Sequence, residues 1–333
     1  MAVLWQWCFV VLTLVSQSAA LSHSQPSSKF QQVTIPEANQ VAKDLGIRPG
    51  SSAPRIVWKY SWRMLGYALP VLHALDEARS KDLDYSLKCL WCKALSGRDR
   101  KSPTFDDNVA YDMLPSVSRK ILQLPRRLYP RLIHFNIELR TVYLDRAIRE
   151  EIKRVTSSKK IRLITLGAGY DTRSVRFLEE GLVHEAWELD MPQVLQSKEI
   201  MLDRLGRRRP STKRPNLVAQ DLNDLSSFVE TFANTIQDID DDASWHNIIV
   251  LEGVLIYLNE GIPSSLLTVC SKQSQERDLS ASLVFADLFR ALPSLEVGEV
   301  EAFFKSMGWS LDRSSWCPKP GLARHMGVAR VLL

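Results

Sequence analysis

Four short segments of this chain carry residue types that can grip a small polar ligand. The run IRLITLGAGYDTR ends on Gly167-Ala168-Gly169, and glycines there let the chain turn sharply and let a ligand reach the backbone. A pyrophosphate-binding fingerprint needs a third glycine, but Thr172 stands in that place. The loop therefore suits a nucleoside ligand without phosphates better than NAD or FAD. Asp190 lies 23 residues beyond Gly167 at the end of VHEAWELD, where one carboxylate can accept from both hydroxyls of a ribose. Gln220-Asp221-Leu222 follows a third β-rich run, NLVA; there an acid and a backbone N–H can read the exocyclic amine of adenine. NIIVLEGVLIYL sets Glu252 at the end of a fourth run, in the crevice where open α/β sheets bind ligands. Taken singly, these are also a structural turn, solvated acids at strand tips and an acid at a helix start. Their conjunction favours a ligand.

Arg140 belongs with them by position. Ile133, Ile137, Arg140, Leu144 and Ala147 follow one another at four, three, four and three residues, which places Arg140 on the apolar face of a helix. A guanidinium aimed at a core needs an anion, either an internal carboxylate or the carboxylate of an amino-acid-like ligand, held bidentately.

The elements that must position these residues fall into two textures. Residues 56 to 155 read as helices, with apolar residues three and four apart in LKCLWCKAL and LIHFNIELRTVYLDRAIREEIKRV, and with Pro115, Pro125 and Pro130 as breaks. From Ile161 onward, β-rich runs (IRLITL, VHEAWEL, NLVA, NIIVL, SLVFADL) alternate with helical or loop segments. That alternation predicts right-handed crossovers and a doubly wound, mainly parallel sheet covered on both faces. GWSLDRSSW and HMGVARVLL fit a closing pair of strands around the Pro318–Gly321 turn.

Composition narrows the class. With 333 residues, 45% hydrophobic and 24% charged, the chain is globular. A net charge of +5 does not by itself call for a nucleic acid or an anionic membrane. The five cysteines are too scattered for a disulfide framework, and Cys89-x-x-Cys92 lacks a second pair to complete a zinc site. Asp238, Asp240, Asp241 and Asp242 do not follow a calcium-loop pattern and read as a solvated loop. The basic run Arg204, Arg207, Arg208, Arg209, Lys213 and Arg214 also reads as solvated, since no aromatic residues interleave it for base stacking. No metal is expected, and nucleic acid is not an expected partner.

Met1 to Ser28 contains no Asp, Glu, Lys or Arg, and the apolar run Leu4–Val15 precedes Ser18-Ala19-Ala20. This predicts a signal peptide over 1–20 that leads the chain into the secretory pathway, either outward or to a complex plastid, the alternative being a cytoplasmic chain whose leader does not function. The apolar run is shorter than the roughly 20 residues of a bilayer span, so no stable span is expected once it is removed. Leu21–Gln32 is rich in Ser and Gln, and 21–55 fits a transit or linker segment. Residues 56–158 are expected to form a helical cap or lid and 159–333 the ligand-binding domain.

In order, RTVYLDRAI, LGAGYDTR, ELDMPQV, QDLND and LEGVLIYL resemble the leucine carboxyl methyltransferase family of S-adenosylmethionine-dependent O-methyltransferases. The likeness implies a class I methyltransferase-like Rossmann fold with S-adenosyl-L-methionine as cofactor. It further implies that Gly167 and Gly169 form the cofactor loop, Asp190 holds the ribose, Asp221 and Leu222 flank the adenine, Glu252 lies by the methionine part and Arg140 binds the cofactor carboxylate. The family also places a Lys or Arg upstream. RDRKSPTFDDNVAYDML is the matching region, with Lys101 the candidate. The expected acceptor is a carboxylate on a small acid or a protein C-terminus; with a pKa of about 3.3–3.7 for a chain terminus it is already ionised and needs no general base. A phenol would need one, for which His246, otherwise a surface residue, and Tyr257 are candidates. Glu252 and Tyr257 are the positioning candidates. A tRNA-modifying relative and a non-catalytic binding module are the alternatives.

Overall fold

The computed structural model describes residues 84–96, 107–116, 118–119, 135–155, 159–237, 244–317 and 325–332. The expected signal peptide and transit segment, the front of the helical region, Lys101, the acidic stretch 238–242 and the Pro318–Gly321 turn lie outside them.

Seven strands form one sheet in the order β3-β2-β1-β4-β5-β7-β6. β1 (Lys160–Leu166), β2 (Glu185–Asp190), β3 (Asn216–Ala219), β4 (Trp245–Glu252) and β5 (Ser280–Asp287) are mutually parallel. β7 (His325–Val331) runs antiparallel to both β5 and β6 (Trp309–Leu311), as the closing-pair pattern predicts. β4 and β5 are buried along nearly their whole length, because helices cover both faces and alternation is lost. After β3 the chain crosses from one side of β1 to the other to form β4. The crevice at this switch point opens at the carboxyl ends of the strands.

The helices are α1 (Asp84–Ser96), α2 (Asn108–Met113), α3 (Phe135–Arg154), α4 (Arg173–Glu179), α5 (Pro192–Arg208), α6 (Leu225–Ile236), α7 (Ile262–Glu276) and α8 (Val297–Ser306). Phe228 and Phe232 of α6, Leu266 and Leu267 of α7 and Phe304 of α8 pack on one face of the sheet. Leu144 and Ile148 of α3 and Phe177 of α4 pack on the other. Leu90 and Trp91 of α1 and Met113 of α2 pack onto α5 through Val194, Met201 and Leu205.

The basic run departs from the solvated loop that its composition predicts. Much of it is the last turns of α5, and it clasps the end of α2. Arg204 Nη1 donates to the Met113 carbonyl at 2.9 Å, Arg208 to the carbonyls of Asp112 and Leu114, and Arg209 Nε to Asp112 Oδ2 at 2.7 Å. Carbonyls at a helix C-terminus have no partner within the helix, so the guanidinium groups satisfy them and fix α2 to the sheet domain. Arg207 and Lys213 remain exposed.

Candidate active site

β1 delivers its chain end to the crevice through a turn only glycine adopts easily. Gly167 and Gly169 have φ of +67° and +49°, and a Cβ on Gly167 would overlap Val254 Cγ2 in the loop after β4. Absence of a side chain thus lets the β1 and β4 loops touch. Next to them, Asp190 at the tip of β2 accepts from Gly169 N through Oδ2 at 2.6 Å and from Met191 N through Oδ1 at 2.7 Å. Each oxygen keeps a further lone pair for a hydroxyl. Burial pushes this carboxyl above its usual range.

The glycine loop leads into α4, whose first N–H groups already have an anion. Asp171 Oδ1 accepts from Thr172 N at 2.7 Å and from Arg173 N at 3.3 Å. A pyrophosphate would sit at such a helix start, so the protein's own carboxylate occupies the place a dinucleotide requires. The missing third glycine and this internal anion agree: the loop fits a nucleoside without phosphates.

Beyond the loop lies a dense ion network. Lys93 of α1 donates to Asp171 Oδ1 at 2.7 Å and stands 3.5 Å from Glu252 Oε2. Arg173 bridges Asp171, Asp145 at 2.7 Å and Glu252 at 3.1 Å. Arg140 Nη2 lies 3.4 Å from Glu252 Oε1 and 4.0 Å from Cys89 Sγ. Of the two partners open to Arg140, the structure supplies the internal carboxylate. Burial alone would raise the Glu252 pKa, but Lys93, Arg173 and Arg140 outweigh it and hold the group below its ordinary value. Asp171 is held low in the same way, burial being outweighed by Arg173 and Lys93. Both are carboxylates at neutral pH. Burial disfavours the charge on Lys93, yet Asp171 and Glu252 raise its pKa and keep it an ammonium.

Arg140, Gly167, Gly169, Asp190, Asp221, Leu222, Glu252 and Tyr257 all line one cavity of about 320 Å³. Leu222 is buried, whereas Asp221 is exposed and closes a tight turn by accepting from Asn223 N at 2.9 Å. Tyr257, in the short 3₁₀ turn Leu255–Tyr257, is 58% exposed at the mouth. Lys93 lines the cavity too, a cation upstream of the glycine loop that the sequence reading did not single out; Lys101, the candidate it named, lies outside the described residues. Lys93 sits three residues after Leu90 and six after Leu87, on the buried side of α1, a position that the spacing argument used for Arg140 could have found.

One expectation is corrected. His246 is not a surface residue: it is 2% exposed at the opposite end of β4, with Nδ1 3.0 Å from Ser280 Oγ and Nε2 3.1 Å from Ser282 Oγ. Period-two alternation in WHNIIVLE could not show this, since both faces of β4 are covered. Glu188 shares a strand face with Asp190 but stops short of the cavity, buried against Lys198. Among the described residues no cluster of His, Cys, Asp and Glu could hold a metal ion, and no helix is long and apolar enough to cross a membrane.

The sheet order with an antiparallel β7, the glycine loop, the acid at the tip of β2 and the cavity between β1 and β4 define a class I methyltransferase, an enzyme using S-adenosyl-L-methionine. The family model "Leucine carboxyl methyltransferase" matches residues 86–270, more than half of the chain, and the chain belongs to that family. No curated protein matches it. Among solved structures it is similar to magnesium protoporphyrin IX methyltransferase of Synechocystis with bound S-adenosylmethionine, at 12% identity over 62% of this chain and 89% of that one, TM-score 0.41. It is also similar to an O-methyltransferase family protein of Burkholderia thailandensis, at 9% identity over 66% and 61%, TM-score 0.36, and to the glycopeptide N-methyltransferase MtfA with S-adenosylmethionine, at 14% identity over 56% and 92%, TM-score 0.34.

Proposed function

We propose that the crevice binds S-adenosyl-L-methionine with Asp190 on the ribose hydroxyls, Asp221 and Leu222 about the adenine, Gly167 and Gly169 along the backbone, and Lys93 and Arg140 with Glu252 at the amino-acid end. The observation that supports this best is the meeting of all these side chains, drawn from four strand ends and two helices, on a single cavity. When bound, the cofactor supplies a methyl group on a positively charged sulfur, which passes to an acceptor oxygen while the broken bond's electron pair stays on sulfur. The chain's own part is alignment and exclusion of water. Asp190 fixes the sugar through a carboxylate that two backbone N–H groups already orient. Lys93 and Arg140 can turn from Glu252 to an incoming carboxylate, leaving Glu252 to face an ammonium.

The acceptor in this reading is a carboxylate, on a small acid or on a protein C-terminus. Such a group is ionised at neutral pH, with a pKa of about 3.3–3.7 for a chain terminus, so no base is needed. The burial of His246 away from the cavity removes the one histidine considered as a base for a phenol. Tyr257 at the mouth is the positioning candidate for the acceptor. A tRNA-modifying role has less support, since Arg204, Arg208 and Arg209 are engaged with α2. We further propose that residues 1–20 are a signal peptide, that 21–55 form a transit or linker segment, and that 56–158 cap the cofactor domain 159–333, with the second half of α3 also packing on the sheet.

Incubation with methyl-labelled cofactor and a cell extract tests the reaction. The expected product is base-labile label, as a methyl ester gives. Base-stable label alone would overturn the carboxylate acceptor. Terminal sequencing of the mature protein tests the leader.

A further inference from the structure

A carboxylate acceptor needs a cation of its own, since in the reading above Lys93 and Arg140 serve the cofactor's carboxylate and Arg173 stays with internal acids. Lys93, Arg140 and Arg173 each face Glu252, and Lys93 and Arg173 also face Asp171. At about 320 Å³ the cavity is near the lower end of the roughly 300–1,000 Å³ usual for ligand clefts. A nucleoside bearing an amino acid fills it, so the acceptor meets the methyl group at the rim. Asp190 and Asp221, which line the cavity and in the proposed reading flank the nucleoside, repel a carboxylate.

On the other side Val254, Tyr257 and Leu258 line the cavity, and the end of β5, which is not itself part of the lining, holds their turn from behind. Asp287, fully buried there, accepts from Val254 N at 2.7 Å and Leu255 N at 3.0 Å through Oδ2, and starts the 3₁₀ turn that ends on Tyr257. Three residues on, exposed Arg290 donates from Nη2 to the Ile256 carbonyl at 3.1 Å. That partner is neutral, and among the described residues no carboxylate lies in ion-pair range of Arg290. Among the described residues its charge meets no counter-ion and most of its five donors are unspent, and the carbonyl it holds is the one just before Tyr257.

Resting on the carboxylate reading above, we infer that Arg290 is the acceptor-binding residue of this enzyme: its guanidinium holds one oxygen of the acceptor carboxylate at the rim, beside Tyr257, and leaves the other oxygen directed at the methyl group. The donor fork suits a carboxylate better than an ammonium does. Arg290 also braces the Tyr257 turn, so a variant that merely loosens the turn must be told apart from one that loses the charge.

The test uses the full mature chain, methyl-labelled cofactor and a cell extract, scored as base-labile label, for wild type, Arg290→Gln and Arg290→Lys. Arg290→Gln should raise the acceptor KM at least tenfold with kcat changed far less. Arg290→Lys should recover part of the loss, and the affinity for S-adenosylhomocysteine by calorimetry should match wild type in both variants. Base-labile transfer at a wild-type KM by Arg290→Gln overturns the inference, as does equal loss in both variants together with weakened S-adenosylhomocysteine binding. Absence of base-labile product from wild type itself, with base-stable product formed, overturns the carboxylate reading and this inference with it.

Discussion

Among the described residues a polar network lies at each end of the parallel strands, and the two resemble each other in content. At the carboxyl end, Lys93, Arg140 and Arg173 surround Asp171 and Glu252. At the amino end, Glu151 of α3 takes bonds from Arg330, Arg154 and Ser282, and Ser282 in turn meets His246. The first borders the cavity of about 320 Å³, and none of Glu151, His246, Ser282 and Arg330 lines it. Buried charge alone therefore does not mark a site. The chain turn at glycine and the topological switch between β1 and β4 leave space at one end, and at the other the groups close on one another.

The two ends should fail differently. Replacing Arg173 with Leu leaves Asp171, Asp145 and Glu252 short of a shared cation, and breaking a buried pair in this way costs about 3–5 kcal/mol. Chemical denaturation should show that loss, together with lost binding of S-adenosylhomocysteine. An unchanged midpoint would mean the network is not the keystone of this end.

The amino end should respond to pH and leave the cofactor alone. Burial lowers the His246 pKa from 6.5 to about 4, so between those values the unfolded chain binds the proton and the folded chain does not. Stability must then fall as pH falls through this window, by no more than about 3 kcal/mol. Glu151, whose burial is outweighed by bonds from Arg330, Arg154 and Ser282, titrates near 2 instead of 4.5 and extends the decline below pH 4.5. Urea midpoints at pH 7 and pH 5 should converge in a His246→Gln variant, while its affinity for S-adenosylhomocysteine at pH 7 stays that of wild type. Loss of that affinity would link the two ends after all.

A smaller and more selective effect is expected from Arg140→Ala. Glu252 keeps Lys93 and Arg173 as partners, so the fold should survive. The affinity for S-adenosylhomocysteine should drop tenfold to a hundredfold, about 1.4–2.7 kcal/mol. Unchanged affinity would count decisively against the clamp.

What the sequence revealed follows from periodicity. β-rich runs ending in glycine or acid placed Asp190, Asp221 and Glu252 at strand ends, and three-and-four spacing put Arg140 inside. Lys93 obeys the same spacing, but it sits among two cysteines and a tryptophan that drew attention to metals. Asp171 and Arg173 stand inside LGAGYDTR itself, yet their pairing with residues up to 79 positions away exists only once the loops have folded together. Arg290 carries no local pattern at all. Its place depends on β5 lying beside β4, which only the sheet order gives.

The central claim is that Asp190 and its neighbours seat a phosphate-free adenosine carrying an amino acid. Calorimetric titration of the purified chain with S-adenosylhomocysteine, wild type against Asp190→Ala, tests it most directly. The account predicts one site per chain and an affinity at least tenfold weaker in the variant with thermal stability kept. Equal affinity in the two proteins, or no binding to wild type, would contradict it.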